Sequence, residues 1–197
     1  MATEIFVEQY DDYEIIGGEK FMAPSPNMGH VNVTANLVTI IGGYARINKL
    51  GIAFADNFDV HFPDGSLFKP DFIFVSAANE KLFLGNKRGT LRGVPDMVAE
   101  IFSRSTLKRD TGIKKDTYER NGVKEYWMID PWRETVEVYL LRDGKYEFGG
   151  LYQNWSEDEL ARLTDEERAQ VEFEVPVGVL DGFKVKIKNI FGWYFEP

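Results

Sequence analysis

Three side chains of this sequence could together handle a phosphodiester: Asp71, Glu100 and Lys114. Asp71 opens the run PDFIFVS, and Glu100 sits inside DMVAEIFS. Both runs read as short buried strands, where an ionised carboxylate is costly unless something pairs with it. A divalent cation, Mg2+ or Mn2+, is one such partner, with waters and phosphate oxygens completing its shell. Such an ion polarises the phosphodiester and lowers the pKa of a bound water. A nearby ammonium orients that water or stabilises the charge that develops. Lys114 follows in DTGIKKDTYERNG, a run of helical character, with Asp110, Lys114 and Tyr118 on one stripe. Lys115 lies about 100° further round that helix and is expected to face solvent.

Each residue also has a plainer explanation. Asp71 could be a solvated strand end. Glu100 could point to a polar site or to solvent. Asp110 and Lys114 could form a surface ion pair of little energy. Asp96, on the same strand face as Glu100, reads as a strand-start residue after Pro95, with a supporting role behind the ligands as the alternative.

The elements that must position these groups follow from the hydrophobic pattern. A hairpin is expected over 13–24 around Gly17-Gly18. An amphipathic helix covers 27–50, with Val33, Leu37, Ile40, Ile41, Tyr44 and Ile47 on one face and Gly51 at its end. Residues 52–62 look extended and turn at Pro63-Asp64-Gly65. Strands follow at 71–76 and 96–103, separated by a glycine-rich basic flap over 81–93, then a helix at 108–121. VKEYWMID, ETVEVYLL and KYEFGG form a strand series, with Trp127 as core and Asp130-Pro131 as a turn. Residues 156–170 read as one peripheral acidic helix, with Ser156 and Glu159 as a capping box. The tail returns to strand character and ends in aromatics.

At 197 residues, with 44 % hydrophobic and 28 % charged, the chain fits one domain over 1–197. No segment is long and apolar enough to span a membrane, and the acidic start lacks the order of a signal peptide. With no cysteine, disulfide frameworks and thiolate chemistry are excluded. A cytoplasmic protein without a membrane partner is the expectation. The net charge of −9 argues at first against nucleic acid. Residues 81–120, however, hold ten Lys/Arg against five Asp/Glu, a local +5 that leaves −14 elsewhere. Lys87, Arg88, Arg92, Arg104, Lys108 and Arg109 bracket Glu100 and are the expected contacts to a DNA phosphate backbone. A solvated basic face is the bland alternative. No phosphate loop, dinucleotide fingerprint, HExxH zinc pattern or GxSxG nucleophile elbow is present.

The order Asp71, PDMVAEIFSRST, Asp110, Lys114, Tyr118 and NGVKEYWMIDP resembles the Uma-type restriction endonuclease family of the PD-(D/E)XK nuclease superfamily. YEIIGGEKFMAPSPNMGH resembles that family's opening hairpin and helix entry. The resemblance covers roughly residues 10–140. It implies an α/β, restriction-endonuclease-like fold: a central mixed sheet flanked by helices, with an N-terminal β-hairpin. It implies metal ligation by Asp71 and Glu100, catalysis by Lys114, Glu19 as a further acidic group and His30 near the site. It also implies Mg2+-dependent hydrolysis of DNA and a homodimer, with Phe191, Trp193, Tyr194 and Phe195 as a possible interface. One position departs from the superfamily: the lysine two residues after Glu100 is replaced by Phe102, and Lys114 would supply the ammonium from the helix. The rival reading is a catalytically silent module that binds nucleic acid or protein on the same fold.

Overall fold

The computed structural model describes residues 13–16, 18–22, 27–55, 58–82, 89–102 and 110–195. In chain order the elements are β1 (Tyr13–Ile16), β2 (Glu19–Met22), α1 (Met28–Leu37), a π-helical segment (Val38–Gly42), α2 (Gly43–Ile47), β3 (Gly51–Ala55), β4 (Val60–His61) and β5 (Leu67–Phe68). Next come β6 (Phe72–Ser76), a 3-10 segment (Ala77–Leu82), β7 (Leu91–Arg92), β8 (Met97–Ile101), α3 (Asp110–Asn121), β9 (Glu125–Asp130), β10 (Thr135–Arg142) and β11 (Lys145–Gln153). The chain continues with α4 (Glu157–Leu160), α5 (Asp165–Arg168), β12 (Glu174–Pro176), β13 (Lys184–Lys186) and α6 (Ile187–Phe191).

A six-stranded sheet in the order β11-β10-β9-β8-β6-β3 forms the centre. Only β8 and β9 run parallel within it, joined by a crossover that includes α3. The period-two alternation of the strands gives this sheet two apolar faces. Phe72, Phe74, Met97, Ala99, Trp127 and Ile129 pack on one side with Val33, Leu37 and Ile41 and with the C-terminal Val185, Ile187 and Ile190. Ile73, Val75, Val98 and Tyr126 pack on the other with Tyr118 of α3 and with Val60, Phe68 and Leu91. Those last residues belong to a smaller five-stranded sheet, β2-β1-β5-β4-β7, which brings the N-terminal hairpin to the α3 side.

Several expectations shift in detail. The helix expected over 27–50 runs without a gap from Met28 to Ile47, its middle wound as a π segment that carries Gly42. A Cβ on Gly42 would sit 2.9 Å from that of Ala53, so the close approach of this segment to β3 requires glycine. The single acidic helix becomes two short ones, because Thr164 and Glu167 form a second capping box. The tail includes a helix, α6, as well as a strand. The end of the 3-10 segment and β7 lie within the expected flap, while residues 83–88 lie outside the described residues, as do 103–109 ahead of α3. Among the described residues no helix is long and apolar enough to cross a membrane.

Candidate active site

The two strand carboxylates meet through register. In the antiparallel pairing of β6 and β8, Phe72 faces Ala99 and Ile73 faces Val98. One step further along the same register, Asp71 faces Glu100. Cross-strand partners share a face, and like charges placed opposite each other repel. The face is that of Ile73 and Val98, towards α3. Asp71 is further fixed by the backbone of its neighbour strand: the amide of Ile101 donates to its Oδ2 at 2.6 Å. Its other oxygen, Oδ1, lies 3.0 Å from Nε2 of His30. His30 comes from the first turn of α1, where Asn27 caps the helix by accepting from the His30 amide.

Lys114 comes from α3 and is 8 % exposed. Its Nζ donates to Glu100 at 3.2 and 3.3 Å and to Glu14 Oε1 at 2.8 Å. One turn on, the hydroxyl of Tyr118 donates to Glu100 Oε1 at 2.5 Å. Lys114 and Tyr118 of the stripe read from the sequence therefore lie on the face of α3 turned to the sheet. Phe68 closes the site from the small sheet, its ring centre 5.8 Å from Nζ. Lys115 does not simply face solvent: its Nζ lies 3.4 Å over the ring of Tyr139.

Glu14 is the site residue that the sequence reading missed. It is buried on β1 and accepts from the Lys69 amide at 3.0 Å as well as from Lys114. The hairpin does bring an acidic side chain to the cluster, but that residue is Glu14, while Glu19 is exposed at the start of β2. Glu19 pairs with Ile16 and therefore shares the face of Glu14, two residues nearer the tip. A buried position in the alternation of YEII was the available signal.

The electrostatics follow from burial. Glu100 is pushed up to about 8, chiefly by desolvation, with Asp71 and Glu14 adding repulsion and Lys114 and Tyr118 opposing it. Burial works against the charge on Lys114, but Glu100 and Glu14 outweigh it and hold its pKa above the ordinary lysine value. Tyr118 is raised well above its ordinary value by burial and then by Glu100. The cluster thus gathers three carboxylates around one lysine in a largely dry place.

A divalent ion suits this donor set. Mg2+ is commonly held by one or two carboxylates and keeps several waters. Asp71 and Glu100 are two hard oxygen donors on adjacent strands. Among the described residues no group of three or more His, Cys, Asp or Glu is gathered as a ready-made metal cage, so most of the shell would be water or phosphate oxygen.

The other expected residues lie elsewhere or beyond description. Arg92 is exposed on β7. Lys87, Arg88, Arg104, Lys108 and Arg109 lie outside the described residues, as does the side chain of Asp110. Asp96 is buried at the opposite end of β8, where it accepts from the Ser76 amide, Asn79 and Lys124. Phe102 is buried where the superfamily pattern would put its lysine. A separate cavity of about 800 Å3, lined by residues that include Tyr152, Trp155, Phe173 and Lys184, includes none of the cluster.

A mixed sheet flanked by helices, with a strand pair at the N-terminus, is shared with a solved structure. A solved structure of a putative nuclease belonging to DUF820 from Anabaena variabilis superposes with a TM-score of 0.69 at 19 % identity, covering 92 % of this chain and 90 % of that one. The chain belongs to the Uma2 family, described as "Putative restriction endonuclease", which it matches over residues 3–176. No curated protein matches the chain.

Proposed function

We infer that this protein is a divalent-metal-dependent endonuclease that hydrolyses phosphodiester bonds in DNA. The observation that carries this reading is the buried ammonium of Lys114 beside Glu100, which the strand register sets opposite Asp71. Asp71 and Glu100 would hold Mg2+ or Mn2+; when bound, the ion polarises the phosphate and acidifies a water. The Ile101 amide fixes the Asp71 carboxylate, and Tyr118 fixes that of Glu100. Lys114, kept charged by Glu14 and Glu100, is placed to stabilise negative charge as water attacks phosphorus. One phosphorus–oxygen ester bond then breaks, and the leaving oxygen takes a proton.

The net positive segment 81–120 supports a polyanionic substrate, with Lys87, Arg88, Arg92, Arg104, Lys108 and Arg109 as backbone contacts. Such contacts position the duplex without reading its sequence. Residues 1–197 are read as one domain and the protein as a cytoplasmic homodimer. The exposure of Trp193 and Tyr194 supports an interface at the tail. Sedimentation at several concentrations measures the dimer, and a monomer at all of them refutes it.

The decisive assay is nicking of supercoiled plasmid with Mg2+ or Mn2+. The native protein should cleave, while Glu100→Gln and Lys114→Ala should not. Cleavage that survives both substitutions sinks the assignment. One observation favours a silent binding module instead: Lys114 already has two carboxylate partners. DNA binding without cleavage under any divalent ion would establish that reading.

A further inference from the structure

We propose that the cavity between the end of β11 and the β12–β13 ribbon binds a nucleotide unit, its base stacked on aromatic rings and its phosphate held by lysines. This goes beyond the endonuclease reading and does not rest on it, because Asp71, Glu100 and Lys114 do not line this cavity. The ribbon sets the geometry. In the register of β12 and β13, Val175 pairs with Val185, Glu174 with Lys186 and Pro176 with Lys184. The two valines are buried in the main core. Strand alternation therefore turns the flanking pairs to the other face, where Glu174, Pro176, Lys184 and Lys186 line the cavity.

Two properties of the walls select the ligand. Tyr152, Trp155 and Phe173 supply aromatic surface, and Phe173 remains 50 % exposed. Such rings take the flat face of any base. The second property is charge. Lys184, Lys186 and Lys188 line the cavity with Glu172 and Glu174, three ammonium groups against two carboxylates. Glu172 accepts from the Tyr152 hydroxyl, and Glu174 stands opposite Lys186. Lys184 stands opposite Pro176, which carries no charge, so the surplus positive charge falls where an anion would meet it. Lys184 and Lys186 are two residues apart on one strand, about 7 Å, so one phosphate can reach both. A volume of about 800 Å3 is ample for a small molecule. A flat ring joined to an anion complements these walls, and a nucleotide is both; an acidic peptide would satisfy the lysines and leave the rings uncovered.

Binding is measured in a chelating buffer, where no divalent ion supports cleavage, with thymidine monophosphate and a thymidylate decamer as probes. Of the four tryptophans, Trp155 lines the cavity, so a stacked base should quench its fluorescence. Trp155→Phe should lose the quenching while calorimetry still finds binding. Phe173→Ala, at an exposed position, should weaken binding about tenfold, the scale of a lost base stack. Lys184→Gln, also exposed, should lower the slope of log K against log salt for the decamer by about 0.7. Glu100→Gln should leave binding unchanged, which keeps this site apart from the catalytic one. Equal affinity for the two probes assigns the cavity to a free nucleotide, and tighter binding of the decamer assigns it to a strand; either upholds the site. Failure of both probes to bind overturns the proposal. So does quenching that survives Trp155→Phe, or competition by inorganic phosphate or a glutamate peptide as strong as that by the nucleotide.

Discussion

Glu100→Gln should make the metal-free protein more stable while abolishing its activity. The carboxyl of Glu100 is pushed up to about 8 from an ordinary 4.5. A folded-state value above the unfolded one means that its contribution to stability is fully present below the lower value. That contribution is lost as pH rises through the upper one. Between the two, the unfolded chain ionises this group and the folded chain does not. Each pH unit in that window costs about 1.4 kcal/mol. The penalty is then about 3 kcal/mol at pH 7 and approaches about 5 kcal/mol at pH 9. Glutamine mimics the protonated acid at every pH and can still accept from Tyr118. In the native protein Lys114 stays charged throughout, held above the ordinary range against burial by Glu100 and Glu14; the variant leaves it Glu14 and Asp71, which offsets part of the gain. Urea unfolding in a chelating buffer should give the closest stabilities below pH 4.5, with the variant pulling ahead as pH rises. Parallel curves from pH 4 to about pH 9 would show that burial does not raise this carboxyl, and the charge argument for a cation would fall with them. Excess divalent ion should narrow the gap, because it stabilises only the native protein.

Other outcomes follow from the same contacts. Lys114→Met leaves Glu14 and Glu100 buried without their cation, and should cost about 3–5 kcal/mol at pH 8 in urea unfolding. Glu14→Gln removes one anchor of Lys114 without touching a proposed ligand. It should slow plasmid nicking about tenfold, or about 1.4 kcal/mol of barrier, at unchanged Mg2+ affinity by calorimetry. Asp96 is held below its ordinary 3.8: burial opposes this, but Lys124, Asn79 and the Ser76 amide outweigh it. Its stabilisation is present above that ordinary value and lost as pH falls through the lower folded one. The advantage of the native protein over Asp96→Asn in acid unfolding should therefore vanish at pH values below 3.8.

Much of the fold was legible because alternation and helical periodicity report burial directly. The strands carrying Asp71 and Glu100 and the stripe of Lys114 and Tyr118 were readable for that reason. That Asp71 and Glu100 stand opposite each other was not, since register is a relation between strands. The exchange of Glu19 for Glu14 has a similar cause. Both lie on one face of the hairpin, but the docking of β1 on β5 decides which of them meets α3. Two residues along a strand, about 7 Å, separate a cluster member from an exposed charge. The division of the acidic helix was visible in principle: Thr164 and Glu167 have the spacing of Ser156 and Glu159.

The position of His30 beside Asp71 also depends on the far end of the chain. Two turns of α1 are tied to the C-terminal helix by carboxamides. Asn32 donates to the carbonyls of Phe191 and Gly192, and Asn36 to those of Ile190 and Gly192. These bonds join residues 154 to 160 positions apart. Contacts of such long sequence separation form late, after the loop-closure entropy has been met by other docking. A chain cut before residue 192 would therefore lack acceptors that hold α1, and with it His30, in place.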